Sequence, residues 1–183
     1  FGILRAGMVA VNVNPLYTAR ELEHQLSDAG ARAIVIVENF AATLEKVVNK
    51  VALEAVITTQ IGDALPPAKR FLTNLVVKHV KRMVPAFKLP GAIAFNTVLA
   101  DGAKQSMKPV KVAPDDIAFL QYTGGTTGLA KGAILLHRNM VANVSQAEAW
   151  LDPWTEKGNE VILTPLPLYH VFALMANCLM FMR

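Results

Sequence analysis

The chain has 183 residues, 53% of them hydrophobic, and a net charge of +4, enough apolar material for a substantial core and at odds with a disordered or low-complexity protein. A single cysteine, Cys178, excludes an internal disulfide framework and fits a reducing, cytoplasmic compartment. The longest late apolar stretch, Val171 to Met182, is interrupted by Asn177 and falls short of the ~20 residues that span a bilayer, so no transmembrane segment is expected.

Phe1 to Gly7 reads as the last turns of a helix, and the chain stops at Arg183 within an apolar run, so the expectation is an internal fragment. Val9, Val11 and Val13 alternate up to Asn14-Pro15, a half-buried strand ending in a turn. Thr18 followed by Glu21 has capping-box spacing; Leu22, Leu26 and Ala29 share a helical face, and Gly30 supplies the stop. Ala33 to Val37 is a continuous apolar run rich in β-branched residues and predicts a buried strand. Phe40, Leu44, Val47 and Val48 return to helical spacing, and Ala55 to Thr59 to strand character. Strand alternating with helix predicts an α/β fold with a parallel sheet.

From Gly62 to Pro114, Pro66-Pro67, Pro85, Pro90-Gly91 and Pro109 break the chain into short pieces, with helical character only over Phe71 to Val84. Charge concentrates here: Lys69 to Lys111 holds nine Lys/Arg against the single acid Asp101, a local +8 that leaves −4 for the rest. Phe71, Leu72, Leu75, Val76, His79, Val80 and Met83 fall roughly on one helical face beside Lys78, Lys81 and Arg82. That pattern suits either a helix lying on an anionic membrane or an ordinary packed helix with a solvated charged side.

Order returns at Ile117 to Leu120, a buried strand that runs into Thr123-Gly124-Gly125-Thr126-Thr127-Gly128-Leu129-Ala130-Lys131-Gly132. Glycines let backbone N–H groups approach an anion, the threonines add hydroxyl donors and Lys131 adds a charge, a set suited to a triphosphate. The spacing is not that of the P-loop NTPases, because Ala130 precedes the lysine and Gly132 follows it, and the dinucleotide-binding glycine spacing is also missing. A strand over Ala133 to Leu136 and a helix over Arg138 to Trp150 follow, with a further strand candidate at Val161-Ile162-Leu163 before Pro165-Leu166-Pro167.

The segment Tyr122 to Gly132 resembles the signature loop of the adenylate-forming superfamily, which includes acyl-CoA synthetases, luciferases and peptide-synthetase adenylation domains. Pro165-Leu166-Pro167-Leu168-Tyr169-His170-Val171-Phe172 resembles that superfamily's next block, and Arg5-Ala6-Gly7 with Asn12-Val13-Asn14-Pro15 resembles the segment that precedes them. Within the superfamily the likeness is to bacterial long-chain fatty-acid ligases, through Asn14-Pro15-Leu16-Tyr17-Thr18, the Gly124-Gly125 pair and the basic insert around Lys69 to Phe95; Gly125 and Ala130 stand where many members of the superfamily have serine and proline, which weakens assignment to its other subfamilies. The resemblance implies that residues 1–183 are an incomplete N-terminal AMP-binding domain, part of the large α/β domain of that fold, with 62–114 as a Pro-rich basic insert and the C-terminal domain absent. It implies ATP, Mg²⁺ and coenzyme A as cofactor and co-substrates and a fatty acid as substrate, activated to an acyl-adenylate and then to acyl-CoA. Thr123, Gly124, Gly125, Thr126, Thr127 and Gly128 would cradle phosphate, Thr123 would also touch Mg²⁺, and Lys131 and His170 would be catalytic. The fragment alone is expected to be inactive.

His24, His79 and His137 have no partners at metal-ligand spacing, so no zinc site is expected, and His137 reads as a helix-start residue. Asp115 and Asp116 read as turn and cap residues, and Trp150 and Trp154 as packing at a helix end. Phe172, Leu174, Met175, Leu179, Met180 and Phe181 suit either an acyl tunnel or plain helix core. No nucleic-acid partner is expected. Two other functions remain open at this level: a ligase for another carboxylic acid, and a non-catalytic membrane-binding protein that keeps the fold.

Overall fold

The computed structural model describes residues 1–123, 129–156 and 158–182. In chain order these form α1 (Gly2–Arg5), β1 (Ala10–Asn12), α2 (Ala19–Asp28), β2 (Ala33–Val37), α3 (Ala41–Glu45), β3 (Ala55–Thr59), α4 (Pro67–Leu75), β4 (Ile93–Ala94), α5 (Phe95–Gly102), β5 (Ile117–Thr123), β6 (Lys131–Leu136) and α6 (His137–Leu151). The chain divides into two compact units, Pro15–Lys108 and Phe1–Asn14 with Pro109–Arg183.

In the Pro15–Lys108 unit, β2, β3 and β4 form a parallel sheet in that order, in the register Ile34↔Val56 and Ile57↔Ile93. The predicted capping box forms: the Glu21 N–H donates to the Thr18 hydroxyl at 3.4 Å, while the Glu21 carboxylate accepts from the Thr18 N–H at 2.8 Å and its hydroxyl at 2.7 Å. These bonds hold the Glu21 carboxyl below its ordinary value, the Thr18 hydroxyl acting most strongly. The apolar face that follows from the sequence is buried through Leu22 and Leu26, and α2 packs on α3, whose Ala41 and Leu44 are fully enclosed. Arg32 and Glu54 close the start of β2 and β3 with two bonds of 2.7 Å.

Three expectations are corrected here. The β2 run is not buried throughout: side chains alternate faces along a strand, so Ile34 is buried while Val35 is exposed. The helix expected over Phe71 to Val84 starts earlier, with Pro67 in the first turn, where its missing N–H costs no bond, and it continues as a π-helical turn over Val76–Val80. β4 and α5 were not expected: β4 has only two residues, and α5 starts behind Ala94 with no side-chain cap to announce it.

In the other unit β1 runs parallel to β5, Ala10 facing Phe119, and β5 pairs antiparallel with β6. Ala10, Ala118, Phe119, Met140 and Leu174 make its core. The turn reading of Asp115 and Asp116 holds: the Asp116 carboxylate accepts from the Ala113 N–H at 2.7 Å, and Asp115 pairs with Arg138 at 3.0 Å. The N–H groups of His137 and Arg138, which open α6, donate to the carbonyls of Asp116 and Pro114. Val161 to Leu163 is not a strand; Val161 is 97% exposed, and β-propensity stabilises little where no neighbouring strand pairs. Trp150 and Trp154 are exposed instead of packed. Of the late apolar stripe, which is largely π-helical over Ala173–Leu179, Leu174 is buried in the core and Met175 and Leu179 pack against it, while Phe172 is exposed.

Candidate functional site

The β5–β6 hairpin is built from β-branched, aromatic and aliphatic residues that bury Ala118, Phe119, Gln121 and Tyr122 along β5 and leave Thr123 exposed at its end. Gly132 is a spatial requirement of this hairpin, since a Cβ there would lie 3.0 Å from the buried Tyr122 ring. One step further, Thr123 and Lys131 stand directly opposite each other in the ladder. Directly paired residues of an antiparallel ladder share a face with Cβ atoms ~5 Å apart, so a hydroxyl and an ammonium stand together at the loop end of the hairpin. Gly124, Gly125, Thr126, Thr127 and Gly128 lie outside the described residues.

Gln121, buried to 8% exposure in an otherwise apolar strand, ties three segments together. Its Oε1 accepts from Asn12 Nδ2 at 3.4 Å, at the end of β1, and its Nε2 donates to the Tyr169 carbonyl at 3.3 Å. His170 is thereby held beside the carboxyl ends of the parallel pair β1 and β5, where open α/β sheets place their ligands. The His170 N–H donates to the Pro167 carbonyl and its own carbonyl accepts from Leu174. Its Nδ1 accepts from the Phe172 N–H at 3.3 Å, which leaves Nε2 as the nitrogen turned to other partners.

The structure therefore brings Thr123 and Lys131 together by register, and connects His170 to the same strand through Gln121. Sequence reasoning missed Gln121 and Asn12. The signal was present: a glutamine inside Ile117 to Thr123 is a polar group that burial would leave costly unless it were bonded. Among the described residues no three His, Cys, Asp or Glu side chains converge as a metal site, and no helix is long and apolar enough to cross a membrane.

A profile of the AMP-binding enzyme family matches residues 1–183. The long-chain-fatty-acid–CoA ligase of Escherichia coli O157:H7 is 59% identical over 183 residues, which are 100% of this chain and 33% of that protein. The chain thus spans about a third of the length of this relative. Among solved structures, a long-chain-fatty-acid-CoA ligase from Archaeoglobus fulgidus matches with a TM-score of 0.72 and 25% identity over 98% of this chain and 30% of its own. The ATP-bound MatB protein of Rhodopseudomonas palustris matches with a TM-score of 0.61 and 25% identity over 98% of this chain and 29% of its own.

Proposed function

Since the chain belongs to the AMP-binding enzyme family, we propose that it carries the phosphate-holding part of a ligase that activates long-chain fatty acids with ATP and transfers the acyl group to coenzyme A. The observation that carries this reading is the Thr123–Lys131 pair, which faces across the ladder at the two ends of the Gly/Thr segment. In the first half-reaction a carboxylate oxygen bonds to the α-phosphorus while the bond to the β-phosphate oxygen breaks and pyrophosphate leaves. In the second the thiol sulfur takes the acyl carbon and AMP leaves.

Such chemistry depends on alignment and on neutralising charge that develops on phosphate oxygens. Lys131 contributes a fixed positive charge toward the leaving pyrophosphate, and the hydroxyls of Thr123, Thr126 and Thr127 with the N–H groups of Gly124, Gly125 and Gly128 donate to phosphate. The Thr123 hydroxyl is a hard oxygen donor of the kind Mg²⁺ takes, and one or two protein oxygens completed by phosphate and water is a common shell for that ion. Bound there, Mg²⁺ would neutralise phosphate charge. His170, with Nδ1 committed to the backbone, offers Nε2 to the acyl or thiol group. In this reading residues 1–183 belong to an N-terminal adenylation domain with 62–114 as a basic insert, in a cytoplasmic enzyme.

The test is ATP–pyrophosphate exchange by the full-length protein. Exchange should depend on a long-chain fatty acid such as palmitate and not on benzoate or 4-coumarate, with thioester appearing when coenzyme A is added. Exchange driven by the aryl acids alone would reject the fatty-acid assignment.

Peripheral attachment to the anionic cell membrane belongs to the same reading. Along α4 and its π-helical continuation Phe71 is 70% and Leu72 61% exposed, with Lys78, Lys81 and Arg82 alongside. An apolar edge flanked by cations suits an anionic bilayer surface. Full-length protein should co-sediment with anionic vesicles better than with neutral ones, and less as salt rises; binding that survives Lys78, Lys81 and Arg82→Gln would exclude this helix as the contact.

A further inference from the structure

His170 follows a segment that no strand or helix steadies: residues 161–168 are all exposed and lie outside any regular element. Its backbone is fixed nevertheless. The Tyr169 carbonyl accepts from Gln121 Nε2 at 3.3 Å, and the His170 N–H donates to the Pro167 carbonyl at 2.9 Å. These are the two polar atoms of one peptide unit, which is planar, so bonding both sets its plane. On the other side the His170 carbonyl accepts from the N–H of Leu174, a core residue. The ring follows from the backbone: Nδ1 accepts from the Phe172 N–H at 3.3 Å while the residue stays exposed. A neutral imidazole whose Nδ1 is an acceptor carries its proton on Nε2.

The other bonds in this set are local, and the one from Gln121 reaches back to the sheet. Its direction is set one strand further on. Asn12 and Gln121 are register partners on β1 and β5, and Asn12 Nδ2 donates to Gln121 Oε1 at 3.4 Å. An amide has one donor end and one acceptor end. With Oε1 engaged by Asn12, Nε2 is the end left for Tyr169; reversed, Gln121 would set an oxygen against the Tyr169 carbonyl, acceptor against acceptor. An apolar side chain at this buried position would fill the space without the cost of desolvating an amide, so what the amide adds is direction.

We propose that Asn12 and Gln121 are positioning residues for His170: the directed amide pair fixes the Tyr169–His170 peptide and through it presents the imidazole as an Nε2–H donor. The inference rests on the reading in which His170 meets the acyl or thiol group. An Nε2–H donates to an oxygen or sulfur that carries negative charge, and its effect on rate there depends on placement.

Two measurements on the full-length protein test this, one of position and one of rate. The first is the ¹⁵N NMR spectrum of the imidazole rings, with the His170 signals identified by their loss in His170→Gln. Wild type should show the Nε2–H tautomer in one environment. Gln121→Met, which keeps the length of the side chain and removes both bonds, should give averaged or split His170 signals. Asn12→Ala, which leaves Gln121 in place with its amide unoriented, should do the same to a smaller degree. The second is palmitoyl-CoA formation in a double-mutant cycle with His170→Ala. Gln121→Met should lower it about tenfold to a hundredfold in the wild-type background and by less than about twofold in the His170→Ala background, because a residue that acts through His170 has nothing further to lose there. A merely structural residue would cost the same in both. If Gln121→Met does not fold, Asn12→Ala, at the half-buried end of β1, carries both measurements. The proposal is overturned if the His170 signals of the variants match wild type, or if the rate losses in the two backgrounds are equal. Wild type that forms no acyl-CoA from any acid would reject the ligase reading instead, and the ring spectra would still decide the positioning.

Discussion

One residue in each unit breaks ordinary inside–outside sorting in opposite directions. In the hairpin unit a glutamine is drawn inside a strand, Gln121 at 8% exposure; in the parallel unit a phenylalanine is left out on a helix, Phe71 at 70%. A buried amide is tolerated where it joins segments, and here it joins β1, β5 and the Tyr169–His170 stretch. The first departure ties three segments together beside the hairpin, and the second leaves an apolar edge in solvent.

A core residue sets the scale for testing that contrast. Leu44, at 0% exposure in the parallel unit, should cost about 2–5 kcal/mol when changed to Ala, through lost transfer energy and the cavity left behind; denaturant unfolding measures it, and a cost below ~1 kcal/mol would mean that α2 and α3 do not enclose it. Gln121→Ala should fall lower, about 1–3 kcal/mol, because it strands the partners of a buried amide. Its second signature sharpens the comparison: activity should drop by more than stability accounts for, since His170 loses its tether. Equal losses would reduce Gln121 to a structural residue.

Thr18→Ala should remove about 1 kcal/mol by uncapping α2. The Glu21 half of that box is pH-dependent. Its carboxyl is held below the ordinary 4.5, so its stabilisation is complete above that value and is lost as pH falls through the lowered one. The thermal midpoints of wild type and Thr18→Ala should therefore move closer as pH is lowered below the ordinary carboxylate range; a constant difference would show that the carboxylate takes no part. Smallest of all, Phe71→Ser should change stability by no more than ~0.5 kcal/mol while weakening attachment to anionic vesicles. A larger loss of stability would show that the ring is covered in the full-length protein.

Much of this was legible in the chain. The capping box at Thr18 and the runs at Ala33 and Ala55 follow from local chemistry and form where expected, and the strand expected over Ile117 to Leu120 runs three residues further, to Thr123. Two-residue β4 was not legible, because it exists only by pairing with β3, and the apolar Val161 to Leu163 misled because propensity without a partner strand builds nothing. Of the site, Thr123 and Lys131 could be named from the Gly/Thr run, but their facing each other is a matter of register across the hairpin. Gln121 was readable as an anomaly, and its partners Asn12 and Tyr169 only from the fold.

The central claim is that Lys131 stands where phosphate charge is neutralised. ATP–pyrophosphate exchange by full-length Lys131→Ala, at saturating fatty acid, tests it most directly. The account predicts a loss of about thirtyfold to a thousandfold, ~2–4 kcal/mol of barrier, with the thermal midpoint unchanged because the residue is exposed at the end of the hairpin. Wild-type exchange in the folded variant would contradict it.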